Sequence, residues 1–244
     1  MGSCSDRDDP TGVELGTNGL VFDARDRLVM ADHGNRQIAR LDEANFTRTT
    51  LADRFEGKRL NSPNDLVIHS RGDIYFTDPP YGLRDLNRSP AKELDFNGVY
   101  RLSAEGELTV VTRALTFPNG IGLSPDERTL YVAVSDRANP VLMAYDVAPD
   151  GTVSGGRVFF DAAPLLRQGR AGAPDGLKVD ARGNLFATGP GGVLVISPEG
   201  KHLGTILTGQ ATANAAFGDD GSSLYITADM DLIRVRLSTR GIGF

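Results

Sequence analysis

Five times along the chain the same short grammar recurs, and its internal spacing hardly varies. The segments are TNGLVFDARDRLVMAD, PNDLVIHSRGDIYFTD, PNGIGLSPDERTLYVA, PDGLKVDARGNLFATG and ANAAFGDDGSSLYITA. Each opens on an amide or a carboxylate, at Asn18, Asn64, Asn119, Asp175 and Asn214. Each then starts a second apolar run at Leu28, Ile74, Leu130, Leu185 and Leu224. The offsets inside the unit are 10, 10, 11, 10 and 10 residues, whereas the intervals between units are 46, 55, 56 and 39. Constant spacing within a unit and variable spacing between units describe a rigid hairpin followed by adaptable loops. A third run follows each hairpin (QIARLD, GVYRLS, LMAYDV, GVLVIS, LIRVRL), and four units add a fourth (RTTLA, LTVVT, RVFFD, LGTIL). Four antiparallel strands per unit, repeated radially, predict an all-β fold, a β-propeller with about five blades, in a single domain over residues 1–244. A solenoid would need shorter and stricter repeats, and a sandwich has no reason to repeat a polar opening residue.

The last unit has no outer strand, since only STRGIGF remains after Leu237. Propellers avoid an open edge by letting one terminus complete the blade that the other begins. Residues 1–17 are short and polar, and GVEL (12–15) is their one candidate strand. Either that segment closes a five-bladed ring, or a first blade is absent from this chain.

A net charge of −6 and the lack of a basic run argue against a nucleic-acid partner and are compatible with holding a cation. The single cysteine, Cys4, excludes a disulfide framework and a Cys-based zinc site. No apolar stretch follows MGSC, and none reaches the length of a membrane span. The expectation is no membrane partner and a cytoplasmic location, with the periplasm left open if residue 1 is not the natural start.

In a propeller the innermost strands surround the central channel, so the residues that open them face one axial spot. The repeat therefore sets Asn18, Asn64, Asn119, Asp175 and Asn214 around a common centre. Oxygen donors converging on a point suit calcium, which takes six to eight oxygens in irregular geometry. Magnesium prefers tighter octahedral order, and zinc would want the His or Cys that the repeat does not supply. The competing reading makes these residues turn formers. The hairpin turns, however, are visible about seven residues later, at ARDR, SRGD, PDER, ARGN and DDGS. For Asn18 and Asn214 the turn-former reading stays ahead.

The ordered set KRLNSPNDLV, IYFTDPPYG, FPNGIGLSPDERTLYVA, APDGLKVDARGNLF, GGVLVISPEGKHLGTI and LYITA resembles the gluconolactonase/regucalcin (senescence marker protein) family of six-bladed propeller lactonases. The resemblance runs from Asn18 to Leu237. It implies one divalent cation on the propeller axis, most often calcium, with magnesium or zinc as alternatives. It places metal ligands at Asn119 of PNG, Asp175 of PDG and Asn64 of NSPND, the last binding metal or substrate. Asp175 is also the implied general base, and a histidine in related paraoxonase propellers gives His33 a competing claim to that role. Tyr81 of DPPYG and Asn18 are candidate substrate contacts. Two departures stand out. The family's Glu, in an EGP-like first-blade motif, has no counterpart here, because Glu14 lies only four residues before Asn18. Ser62 stands where regucalcin carries an arginine. His69 and His202 are expected at solvated turns, and DDGS (219–222) is a turn rather than part of an EF-hand.

The implied function is metal-dependent hydrolysis of a sugar lactone to the aldonic acid, with a small-molecule lactone as partner. The alternatives are a non-catalytic calcium-binding or interaction propeller, and a paraoxonase-like lactonase or esterase for another substrate class.

Overall fold

The computed structural model describes residues 16–42 and 44–243. The candidate strand at 12–15, Glu14 and Cys4 lie outside the described residues. The chain is all-β, built from the antiparallel sheets of a β-propeller, and divides into two compact units, Met1–Pro118 and Asn119–Phe244.

In the first unit β1 (Leu20–Phe22), β2 (Leu28–Asp32), β3 (Gln37–Asp42) and β4 (Thr47–Ala52) form one meander. The small hairpin β5 (Arg54–Phe55) and β6 (Lys58–Arg59) leads to a second meander of β7 (Leu66–Ile68), β8 (Ile74–Asp78), β9 (Gly98–Leu102) and β10 (Leu108–Thr112). The long β8–β9 connection carries a 3-10 turn at Leu86–Arg88. The second unit takes in β11 (Pro118–Leu123), β12 (Thr129–Val134), β13 (Val141–Val147) and β14 (Val153–Asp161). After one helical turn, α1 (Ala163–Leu166), come β15 (Leu177–Val179), β16 (Leu185–Gly189), β17 (Gly192–Ile196) and β18 (His202–Leu207). The last sheet has three strands, β19 (Thr212–Gly218), β20 (Ser223–Ala228) and β21 (Asp231–Arg236). Among the described residues no fourth strand pairs with β21. After β21 the tail crosses to the β15–β16 turn, where Ala181 N donates to Arg240 O (2.8 Å) and Thr239 Oγ1 donates to Asp180 Oδ2 (2.9 Å).

The hairpin turns fall where the repeat puts them. Asp23 Oδ1 accepts from the N–H groups of Arg25 and Arg27, and Asp180 Oδ1 accepts from Arg182 and Asn184. These are Asx turns, which hold the reversal while the next residues rejoin the ladder. The turn residues Asp26, Gly72, Glu127 and Gly183 adopt positive φ. His69 corrects one expectation, because it is buried: its Nδ1 accepts from Arg71 N at 3.2 Å. His202 also sits off a turn, as the half-buried first residue of β18, 3.0 Å from Thr205 Oγ1 and packed near Phe160.

The middle strands are covered on both faces, so they read as continuous apolar runs rather than alternating ones. β8 and β16 are buried throughout. Val29, Leu66, Ile74, Phe76, Tyr100 and Leu102 form one core in the first unit, and Tyr131, Leu142, Leu177, Leu185, Leu194 and Ile196 form another in the second. At a few CH2-scale contacts per side chain, each such residue contributes about 1.5–3 kcal/mol of burial. The pattern breaks at two places. On β1, Leu20 and Phe22 are 57% and 62% exposed, and around β21, Met230 and Leu232 are 89% and 70% exposed. Among the described residues, no helix is long and apolar enough to cross a membrane.

Candidate active site

The Asn-Gly and Asp-Gly pairs that open the repeats make no turn. Their glycines join neighbouring blades. Gly19 N donates to Asn64 O (2.7 Å) in the first unit. In the second, Gly120 N donates to Asp175 O (3.1 Å) and Gly176 N donates to Ala213 O (2.9 Å). None of the three has positive φ; what excludes a side chain is space. A Cβ on Gly120 would lie 2.1 Å from Asp175 O, and one on Gly19 would lie 2.7 Å from Asp65 Oδ1. This stitch sets Asn18 beside Asn64, and Asn119 beside Asp175.

The stitch also reveals the true register of the repeat. Asn18 N, Asn64 N and Asp175 N donate to Ala31 O, Thr77 O and Thr188 O, so these three are equivalent. Asn214 is not. It pairs with Thr227 across a bulge in β19, and its N–H donates to Thr227 Oγ1, as Asp65 N does to Thr77 Oγ1. Asn214 therefore stands with Asp65 and Gly176, and the fifth opening position belongs to Ala213. The sequence offset misleads because the β19–β20 turn is one residue longer, leaving six residues between the paired Phe217 and Leu224 instead of five between Val179 and Leu185. Asn214 Oδ1 accepts from Ala215 N at 2.8 Å, the local role of a turn former.

In the second unit Asn119 is buried at 7% exposure and Asp175 is half-buried. Asn119 Nδ2 donates to Ser135 Oγ (2.8 Å), whose own hydroxyl donates to Pro174 O, directly before Asp175. Ser135 thus fixes the amide so that its oxygen points away from the serine. Nothing in the sequence marks Ser135, which lies just beyond β12.

In the first unit three segments meet. Asn64 is buried, and Asn18 is exposed. His33, directly after β2, is buried against the DPPYG turn: a Cβ on Gly82 would lie 2.4 Å from His33 Nε2 and 2.9 Å from Ser62 Cβ. It is therefore no surface-loop histidine. Tyr81 is half-exposed and stacks on Phe117 with ring centroids 5.8 Å apart. Beneath them lies Asp78, fully buried. Its Oδ2 accepts from Asn61 N and its Oδ1 from Ser62 N, both at 2.8 Å. Burial pushes the Asp78 carboxyl up to about 7, against the opposing pull of those two N–H groups and of Arg36. One signal could have found Asp78. Asp32 and Asp78 both lie 14 residues after the opening amide (32 − 18 and 78 − 64). Their fates differ: Asp32 is neutralised by Arg48 and hydrogen-bonded by Asn35 and Gln37, whereas Asp78 holds main chain.

The chemistry of these donors is that of hard oxygen. Among the described residues no three His, Cys, Asp or Glu side chains cluster as a metal site. In the second unit a cation would rest on the Asp175 carboxylate and the Asn119 amide oxygen, hard oxygen donors that suit calcium and are poor for zinc.

The sequence pattern of the SMP-30/Gluconolactonase/LRE-like region matches residues 7–229, most of the chain. The chain belongs to the SMP-30/gluconolactonase/LRE-like family. Within this family it is 42% identical over 231 residues to a gluconolactonase of Zymomonas mobilis, a match that spans 93% of this chain and 65% of that protein. A lactonohydrolase of Aspergillus oryzae is 28% identical over 218 residues, 82% of this chain and 50% of the relative. The chain thus spans between half and two thirds of the length of these curated relatives. Among solved structures, a gluconolactonase from Xanthomonas campestris superposes with a TM-score of 0.79 at 38% identity, covering 91% of this chain and 72% of that one. A regucalcin from Agrobacterium tumefaciens, described as a calcium-binding protein, gives 0.72 at 22% identity, covering 93% and 78%, and speaks for the fold.

Proposed function

We propose that the chain belongs to an enzyme that hydrolyses a sugar lactone of the gluconolactone type to its open-chain aldonic acid. The observation that carries this reading is the pairing of Asn119 with Asp175 through Gly120, in a chain 42% identical to a gluconolactonase. Asp175 is the general base: its carboxylate takes a proton from the attacking water as that oxygen bonds to the lactone carbonyl carbon. The ring C–O bond then breaks, and the proton passes to the departing ring oxygen. What a bound divalent cation supplies is polarisation of the carbonyl and stabilisation of the charge that develops on its oxygen. Asn119, oriented by Ser135, and Asp175 would hold that cation, which we take to be calcium on the all-oxygen donor set. Within the first unit the same reading assigns Asn64 as an oxygen donor to metal or substrate, Tyr81 and Asn18 as substrate contacts, and His33 as the alternative to Asp175 as base.

The test is hydrolysis of glucono-δ-lactone, followed by proton release, with and without chelator. Activity should vanish with EDTA and return with calcium. Asp175→Ala should lower kcat by about a hundred- to ten-thousandfold, the usual worth of a positioned base. Near-full turnover in Asp175→Ala, or indifference to chelator, would sink the reading. Calcium binding without any turnover would instead point to a binding module.

A further inference from the structure

Asp78 is fully buried beneath the first unit's candidate site, and its hydrogen bonds tie the NSPND segment to the end of β8. The carboxylate grips two consecutive N–H groups, Asn61 and Ser62, one oxygen each. The same residue's carbonyl accepts from Asn61 Nδ2 at 2.9 Å. Ser62 carries the grip onward. Its hydroxyl donates to Pro79 O at 2.5 Å and accepts from Gly82 N at 2.9 Å, so the NSPND segment and the DPPYG turn are laced together. Gly82 in turn packs against the His33 ring so closely that a Cβ there would clash with it. One residue upstream, the buried Arg36 guanidinium donates to Leu60 O at 2.7 Å and to Ala91 O at 2.9 Å, closing the lacing from the other side.

A carboxylate buried without water is costly unless hydrogen bonds compensate it. An apolar side chain at the end of β8 would fill the space more cheaply, as Val134 does at the end of β12. What Asp78 adds is geometric. Two bonds to adjacent peptides, charge-assisted once the carboxyl ionises, define the orientation of that chain segment, not just its position.

We propose that Asp78 is a positioning residue for the candidate site. By clamping the Asn61–Ser62 peptides, and through Ser62 the Pro79–Gly82 turn, it holds Asn64, Tyr81 and His33 as one preorganised set. Its effect on turnover rests on the lactonase reading above, whereas the clamp itself does not.

The experiment uses the full chain and compares Asp78→Asn with Asp73→Asn. Asp73 is also buried and directly precedes the other end of β8, where it holds Arg71, Arg101 and Ala104 N. Asparagine keeps the shape of Asp78 but offers one acceptor and turns a donor onto an N–H. Amide hydrogen exchange at Asn61, Ser62, Asn64, Asp65, Tyr81 and Gly82 should accelerate roughly ten- to a hundredfold in Asp78→Asn, the range for losing a hydrogen bond to a charged group. Asp73→Asn should leave exchange there unchanged. With glucono-δ-lactone, kcat should fall on the order of ten- to a hundredfold in Asp78→Asn, with KM moving much less. Asp73→Asn should keep both constants even if its melting temperature falls as far. Equal exchange in the two variants would overturn the clamp. Faster exchange with unchanged kcat would overturn the positioning role. Should Asp78→Asn not fold, Ser62→Ala replaces it and must accelerate exchange at Gly82, or the lacing is wrong. If the wild-type chain hydrolyses no lactone, the lactonase reading fails, while the exchange comparison still decides the clamp.

Discussion

Ser135 decides which end of the Asn119 amide is the oxygen, and one hydroxyl does so for a residue proposed as a metal ligand. Removing a partner behind a metal ligand typically costs ten- to a hundredfold in metal affinity. Ser135→Ala should therefore weaken calcium binding, read by calorimetry, by about that factor, with little loss of thermal stability. Asp78 makes a different residue-scale prediction, one of stability against pH. Its carboxyl sits near 7 in the folded chain against an ordinary value of 3.8, so the folded state binds this proton more tightly than the unfolded state. Its stabilising contribution is complete below about pH 4 and is lost as pH rises towards 7, with a slope of at most about 1.4 kcal/mol per pH unit. Asp126, held low by the Ser124 hydroxyl, acts with opposite sign and below that window. Urea unfolding of wild type should show a fall in stability from pH 4 to pH 7 that Asp78→Asn lacks. At this scale the sequence was legible where a residue type repeats in register, as at Asn64, Asn119 and Asp175. It was silent at Ser135, whose role depends on a partner 16 residues away in the chain and on no pattern at all.

The strand is the scale at which the sequence spoke most clearly. Period-2 and continuous apolar runs, punctuated by Asp and Gly, mark strand after strand, and Asx chemistry marks the turns between them. The third strand QIARLD coincides with β3, and GVLVIS overshoots β17 by one residue. Register was the part that escaped. Counting from Asn214 to Leu224 assumes a turn of fixed length, and one extra turn residue moves the side chain to the opposite face of its strand. The glycine stitch was hidden for a related reason, since Asn-Gly carries the prior of a hairpin turn, while its use here is clearance from another blade. Gly120→Ala should therefore be destabilising by roughly 2 kcal/mol or more, in the range for overpacking a tight contact. Gly204, in β18 with nothing within 4 Å of its Cβ position, is the contrast. Gly204→Ala should be neutral or stabilising by about 0.4–1 kcal/mol. Chemical denaturation of the two variants side by side checks both signs.

Across the molecule, the surface apolar residues are unevenly placed. Leu20 and Phe22 share one face of β1 and are both more than half exposed, although the neighbouring strands of that sheet are covered. Exposed aromatic and aliphatic neighbours of this kind promote association. Leu20→Ser with Phe22→Ser should lower light scattering and dye binding of the concentrated protein, and should leave its melting temperature within a few degrees; unchanged scattering would show that this face takes no part. The glycine stitch gives that face a broader meaning. Each bond runs one way, from the glycine N–H of one blade to a carbonyl of the blade that follows in the chain. That is the polarity of a head-to-tail contact between unlike surfaces, the kind that in oligomers adds copy after copy unless rotation closes it. Within each unit the stitched repeats can thus be regarded as tethered protomers that share one kind of interface, keyed at Gly19, Gly120 and Gly176 by a residue with no side chain. A substitution at such a key alters how protomers join while leaving each one able to fold.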